Sequence, residues 1–133
     1  MTTKSKLVEL TVGVDAGCFA VCDASFIEDY GGEAVVDCLD SHVLKMEPGK
    51  YKVHLEIEDT WRGPLDQTFD IELRSGKVIV SDLCYMIKDP DTWDKLLRET
   101  NYLQNLVSPK CHVVETGGDG GFFTKIEFTR RET

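Results

Sequence analysis

From Gly49 onward the chain alternates strictly: Tyr51, Val53, Leu55 and Ile57 fall on one side of an extended backbone, and Lys50, Lys52, His54, Glu56 and Glu58 fall on the other. Only a β-strand turns that period of two into one apolar face and one wet face; a helix would scatter both sets around its axis. The same spacing recurs at Val8, Leu10, Val12 and Val14, and again at Phe69, Ile71 and Leu73. The reading is therefore a mainly β (α+β) chain, an antiparallel sheet or two-sheet β-sandwich with half-buried strands.

Turn chemistry divides the strands. Asp15-Ala16-Gly17 reads as a hairpin turn into Cys18 to Cys22, Ser75-Gly76 as a second hairpin turn before Val78-Ile79-Val80, and Arg62-Gly63-Pro64 as a break ahead of Phe69. One helix is expected near 90–107. Asp89 caps it, Pro90 occupies its first turn, and Trp93, Leu96, Leu97 and Leu103 form its apolar stripe, ending before Pro109. Cys111 to Val114 then reads as a strand, Thr116 to Gly121 as a glycine-rich turn, and Phe122 to Phe128 as the last strand. The 133 residues suit one domain, 1–133, and an apolar fraction of 41% supplies a core despite a formal charge of -9.

A short motif occurs twice. Ala16-Gly17-Cys18-Phe19-Ala20-Val21-Cys22-Asp23 aligns without a gap on Ser75-Gly76-Lys77-Val78-Ile79-Val80-Ser81-Asp82, and the two glycines, Val21 and Val80, and the two aspartates coincide. The pattern predicts two pseudo-repeated halves, 7–61 and 65–130, with the helix in the second only. An Asp at a strand end commonly accepts hydrogen bonds from nearby backbone N–H groups, so Asp23 and Asp82 are read first as turn caps. The functional alternative brings them together in a pocket lined by Ser25, Cys84 and Tyr85.

The run Ser75 to Tyr85 resembles a segment of small uncharacterised bacterial and phage proteins that carry Asp-Pro-Cys-Tyr after a Ser-Gly hairpin, and Thr116-Gly117-Gly118-Asp119-Gly120-Gly121-Phe122 resembles the Gly-Asp-Gly segment before their last strand. Leu83 stands where that pattern has Pro, and Ser25 stands in the first copy where it has Cys. The resemblance implies a β fold and brings no activity with it. It covers two segments of the second half.

Charge is unevenly distributed. Between Lys6 and Lys45 there is no Lys or Arg, while eight carboxylates, Glu28, Asp29, Glu33 and Asp37 among them, fall in that stretch. Such a field disfavours direct contact with a nucleic-acid backbone and favours a basic protein surface or a metal cation. No stretch reaches the roughly 18–20 apolar residues of a membrane helix and no signal-like start is seen, so no membrane contact and a cytoplasmic location (the host cytoplasm, if phage-encoded) are expected. Five cysteines without a framework of close pairs read as free thiols.

Cys84 is the most tempting nucleophile, with Asp82 near it in sequence and His54 or His112 as possible bases, but no nucleophile elbow surrounds it and a small Cys beside an aromatic is more often core packing. Cys18 and Cys22 have no zinc spacing and the three histidines form no paired motif, so neither metal nor cofactor is expected. Thr116 to Gly121 can cradle an anion on its N–H groups or make an ordinary turn. Trp93 reads as the helix anchor, and Trp61, in a loop beside Arg62-Gly63-Pro64, as the aromatic left for a partner.

The function expected is that of a small acidic binding protein, a monomer or small homo-oligomer, in the manner of a phage accessory protein or inhibitor acting on a basic partner surface. Asp23, Asp82, Cys84, Tyr85, Asp119, Trp61, Glu28 and Asp29 are its candidate contacts, and no catalytic residue is assigned. The alternative is a small-molecule enzyme or sensor with its pocket between the halves.

Overall fold

The computed structural model describes residues 5–14, 18–30, 42–82, 89–100 and 108–131. Along them run β1 (Ser5–Val14), β2 (Cys18–Asp23), α1 (Ala24–Glu28), β3 (His42–Lys45), β4 (Gly49–Thr60), β5 (Gly63–Leu73), β6 (Lys77–Ser81), α2 (Pro90–Thr100), β7 (Cys111–Glu115) and β8 (Gly120–Arg130). Two antiparallel four-stranded sheets result: an outer sheet in the order β1-β8-β4-β5 and a middle sheet in the order β3-β6-β2-β7. The mainly β, two-sheet reading describes the molecule. None of the described helices is long and apolar enough to cross a membrane.

Each sheet's position follows from its side chains. On β4, Tyr51, Val53, Leu55 and Ile57 are buried, whereas Lys50, Lys52, Glu56 and Glu58 are exposed. The outer sheet thus has one dry face and one wet face, as its alternation requires. Phe19 and Val21 of β2 and Val78 and Val80 of β6 meet that dry face in the main core. Ala20, Cys22 and Ile79 point the other way, into a second core closed by Phe26 and Ile27 of α1 and Leu96 of α2, with Trp93 packed against it. Strands buried on both faces need continuous apolar sequence, which is what β2 and β6 have.

This layering overturns two hairpins. β1 lies in the outer sheet and β2 in the middle one, and β5 and β6 are divided in the same way, so both chain reversals cross the sandwich. Burial accords with this: β1 and β5 keep one face in water, as the outer sheet does, whereas β2 and β6 have both faces covered at the centre of the middle sheet. The hairpin present is β4–β5, through Trp61 and Arg62. β5 begins at Gly63, so Pro64 stands inside a strand, which an edge strand tolerates because the missing N–H faces no neighbour. α1 is a second, short helix, in the half expected to have none, and β3 is a strand the alternation did not signal. The end of the expected helix at 101–107, and the turn at 15–17, lie outside the described residues.

Asp23 closes the end of β2. It is fully buried, accepts at Oδ2 from the Ser25 backbone N–H (3.2 Å) and hydroxyl, and accepts at Oδ1 from the Ser75 N–H (3.2 Å) and hydroxyl (2.8 Å). One carboxylate therefore caps α1 and holds the β5–β6 crossover. Burial by itself pushes this carboxyl up, but the hydrogen bonds from Ser25 and Ser75 outweigh it and hold Asp23 below its ordinary value. At the start of α2, Asp89 Oδ2 accepts from the Thr92 N–H (3.2 Å) and hydroxyl (2.6 Å), the expected cap.

Asp23→Asn leaves two of these donors facing an amide NH2 and is expected to lower the unfolding free energy at pH 7 by about 2–3 kcal/mol. The folded carboxyl titrates below the unfolded one, so the unfolded chain binds the extra proton between the two values. The stability from this charge is intact above about pH 4 and lost as pH falls through the folded value. Urea unfolding at pH 7 and pH 3 checks this: the gap between wild type and variant must narrow at pH 3.

Candidate functional site

The β4–β5 hairpin ends in a locally over-determined turn. The Thr60 hydroxyl donates to the Gly63 carbonyl (2.7 Å) and accepts from the Arg62 N–H (3.1 Å), and Gly63 has φ 94°, a left-handed conformation open to glycine. A register shift between Ile57 and Thr60 precedes the turn and re-aims it. The consequence is that Trp61 and Arg62 lean over the glycine-rich β7–β8 turn. There Gly117 has φ 81°, and the Thr116 hydroxyl donates to the Gly118 carbonyl (2.8 Å).

Trp61 is 69% exposed and yet fixed. Its indole lies on Gly118 so closely that a Cβ there would come within 2.6 Å of the ring, and its Nε1–H donates to the Asp119 carbonyl (2.6 Å). Arg62 lies against Gly117 of the same turn and pairs with Glu115 of β7 (2.7 Å). Beneath that pair is a cleft of about 350 Å³ between the edges of the two sheets, with Leu65 and Gln67 of β5 on one wall and Val113 of β7 on the other. The Gln67 wall is tied to β7 by His112, which stacks on Phe69 at 3.7 Å and donates from Nε2 to Gln67 Oε1 (3.0 Å). Burial pushes the His112 imidazole below its ordinary value.

The sequence candidates scatter, with one exception. Trp61 and Asp119 come together, although Asp119 contributes its backbone oxygen and its side chain is left exposed. Asp23 and Asp82 do not meet. β2 and β6 pair antiparallel with Val21 opposite Val80, so Asp23, opposite Val78, and Asp82, just past Ser81, lie at opposite ends of the ladder. That register overturns the shared pocket. Asp29 pairs with Lys110, a buried lysine at the start of β7, and Glu28 is exposed at the end of α1, both away from Trp61. Cys84 and Tyr85, and with them Glu33 and Asp37, lie outside the described residues.

The cleft offers recognition chemistry, the Arg62 guanidinium, the Glu115 carboxylate and the Gln67 amide around an apolar wall, next in sequence to the Trp61 indole. The described free thiols lie elsewhere. Cys22 and Cys111 are opposite one another in the second core, and burial, reinforced by Cys111, pushes the Cys22 thiol well above its ordinary value, away from nucleophilic use. The described residues bring three metal-competent donors together in one place, His54, Glu56 and Asp66, on the wet face of the outer sheet. Gln67, Val113 and Glu115 escaped the sequence reading, and His112 was read there only as a possible base for Cys84, because only the packing of one sheet's edge on the other's brings these residues together.

Gly118→Ala must displace the indole, since the added methyl overlaps the ring. The expected result is a large shift or broadening of the Trp61 Nε1–H resonance, with less than about 1 kcal/mol lost because the ring is mostly exposed. An unmoved resonance would exclude the contact. For His112, the unfolded imidazole binds protons that the folded one refuses, so stability falls as pH drops below about 6.5. His112→Gln should flatten that limb in urea midpoints taken at pH 7.5 and 5.5.

No family model matches this chain, and neither a curated protein nor a solved structure matches it.

Proposed function

We propose that this chain is a small binding protein that docks a basic protein surface on the Trp61 platform and the cleft beside it. The observation that carries this is Trp61 itself: the largest side chain type, 69% exposed, held rigid by Gly118 and the Asp119 carbonyl. Leaving so much apolar ring in water costs about 25 cal/mol per Å², and a fixed ring has already lost the rotamer freedom that binding would otherwise cost. Rigid exposed tryptophans are the usual anchors of interfaces.

The surroundings select the charge of the partner. Glu58 and Asp59 precede Trp61 on β4, Asp119 holds it through its carbonyl, and all three acidic residues are exposed, while the neighbouring cation, Arg62, is engaged by Glu115. A Lys or Arg side chain laid on the indole gains a cation–π contact and meets carboxylates around it. The formal charge of -9 steers such a partner in from a distance. The resemblance to small phage proteins suits an accessory protein or inhibitor acting on a host surface of that kind.

Hexa-arginine amide is a sufficient probe. Titration calorimetry in low salt is expected to give saturable binding that weakens as salt is raised, and Trp61→Ala is expected to weaken it about tenfold, the size of a cation–π and stacking anchor. Equal binding by wild type and Trp61→Ala, or equal binding of hexa-glutamate, would sink the proposal.

A further inference from the structure

His54 and Glu56 stand two apart on β4, so both side chains leave the wet face of the outer sheet, and the β4–β5 register puts Asp66 directly across from Glu56. His54 Nε2 lies 2.7 Å from Asp66 Oδ1 and 3.5 Å from Glu56 Oε1, and the three donor atoms fall within 4.8 Å of one another. Donors on neighbouring positions of one octahedral ion stand about 3 Å apart, given metal–ligand bonds of about 2.1 Å. The backbone under them is the most regular part of the fold: β4 pairs without interruption with β5 on one side and β8 on the other through this stretch.

Two features set the group apart from a surface His–Asp pair. Glu56 and Asp66 are like charges directly opposed across an antiparallel ladder, an arrangement that repels. Lys125 offsets only part of this, since it faces Glu56 from β8, on the side away from Asp66, and Glu127 faces His54 from the same strand and adds negative charge. Next to the cluster, a groove of about 390 Å³ is lined by Glu56 and Asp66 and runs to Phe123 and Pro64. A cation between the carboxylates turns their repulsion into attraction, and the groove leaves room for water or an added ligand on its open positions.

We propose that His54, Glu56 and Asp66 form a binding site for a divalent first-row metal ion. One imidazole nitrogen and two carboxylate oxygens are a donor set suited to such ions, and three protein ligands leave the rest of the coordination sphere to the groove. The site shares no residue with the Trp61 platform, so each can fail without the other.

Mn2+ is the probe, because it is paramagnetic and has little affinity for the thiols of this chain. In amide spectra of the whole protein, substoichiometric Mn2+ is expected to broaden residues 53–57 and 65–68 first, and His54→Ala and Asp66→Asn are each expected to weaken this about tenfold. His54 is half-buried and Asp66 exposed, and an unchanged thermal midpoint in the absence of metal shows that the variants fold. No broadening at 1 mM Mn2+ overturns the site, as does broadening centred on other carboxylates. Loss with Asp66→Asn but not with His54→Ala also overturns it, leaving a carboxylate pair in place of a three-donor site.

Discussion

The Asp23 carboxylate is the junction on which the layers depend. It sits fully buried at the end of β2, between a helix start at Ser25 and a sheet crossover at Ser75 that is distant in sequence. A buried charge survives folding only if its oxygens are saturated by donors, and here four donors from two segments do so. Because those segments belong to different layers, α1 cannot seat and β6 cannot enter the middle sheet beside β2 without the same side chain being satisfied. The backbone N–H of Asp23 donates to the Lys110 carbonyl (2.8 Å), which ties the start of β7 to the same point. Lys110 in turn pairs with Asp29, fastening the end of α1.

How legible the fold is depends on which face a residue looks at. β4 could be read residue by residue, because water on one side and core on the other write an alternation into the chain. β2 and β6 carry no alternation, since both their faces are dry, and a run such as Phe19 to Cys22 does not tell which sheet it joins. A Gly-containing turn signals a reversal and is silent about whether the chain returns beside itself or crosses to the opposite sheet. That is why Ser75-Gly76 looked like a hairpin and is a crossover, with Gly76 at φ 78°. β3 is four residues long, too short for a period to show.

The candidate site was legible only where a side chain's exposure contradicts its chemistry. Trp61 follows Glu58-Asp59-Thr60 and precedes Arg62-Gly63-Pro64, so a large ring in a turn was visible from the sequence. What fixes it was not, because Asp119 acts through its main chain and Gly118 through having no side chain at all. Neither property belongs to a residue type a motif search would select. Asp23 drew attention as a possible ligand contact for the opposite reason: its chemistry stands out in the sequence, but the fold uses all of it internally.

Strand order gives a further reason for the site's location. Exchange β1 with β5, β2 with β6, β3 with β7 and β4 with β8, and each sheet's order maps onto itself reversed, with the axis of the middle sheet between Val21 and Val80. In that exchange His112 on β7 stands where His42 does on β3, and both reach across to an outer-sheet edge strand, His112 to Gln67 of β5 and His42 to the Thr11 carbonyl of β1 (2.8 Å). The flanks then diverge. The cleft by β1 and β3 is bounded by Lys6, Lys45 and the Arg130–Glu47 pair, and the cleft by β5 and β7 by Leu65 and the Arg62–Glu115 pair. Trp61 has no counterpart, because β8 and β1, which stand where β4 and β5 do, are not consecutive in the chain. The β4–β5 turn therefore falls outside this exchange of strands, and the rigid exposed indole is found there.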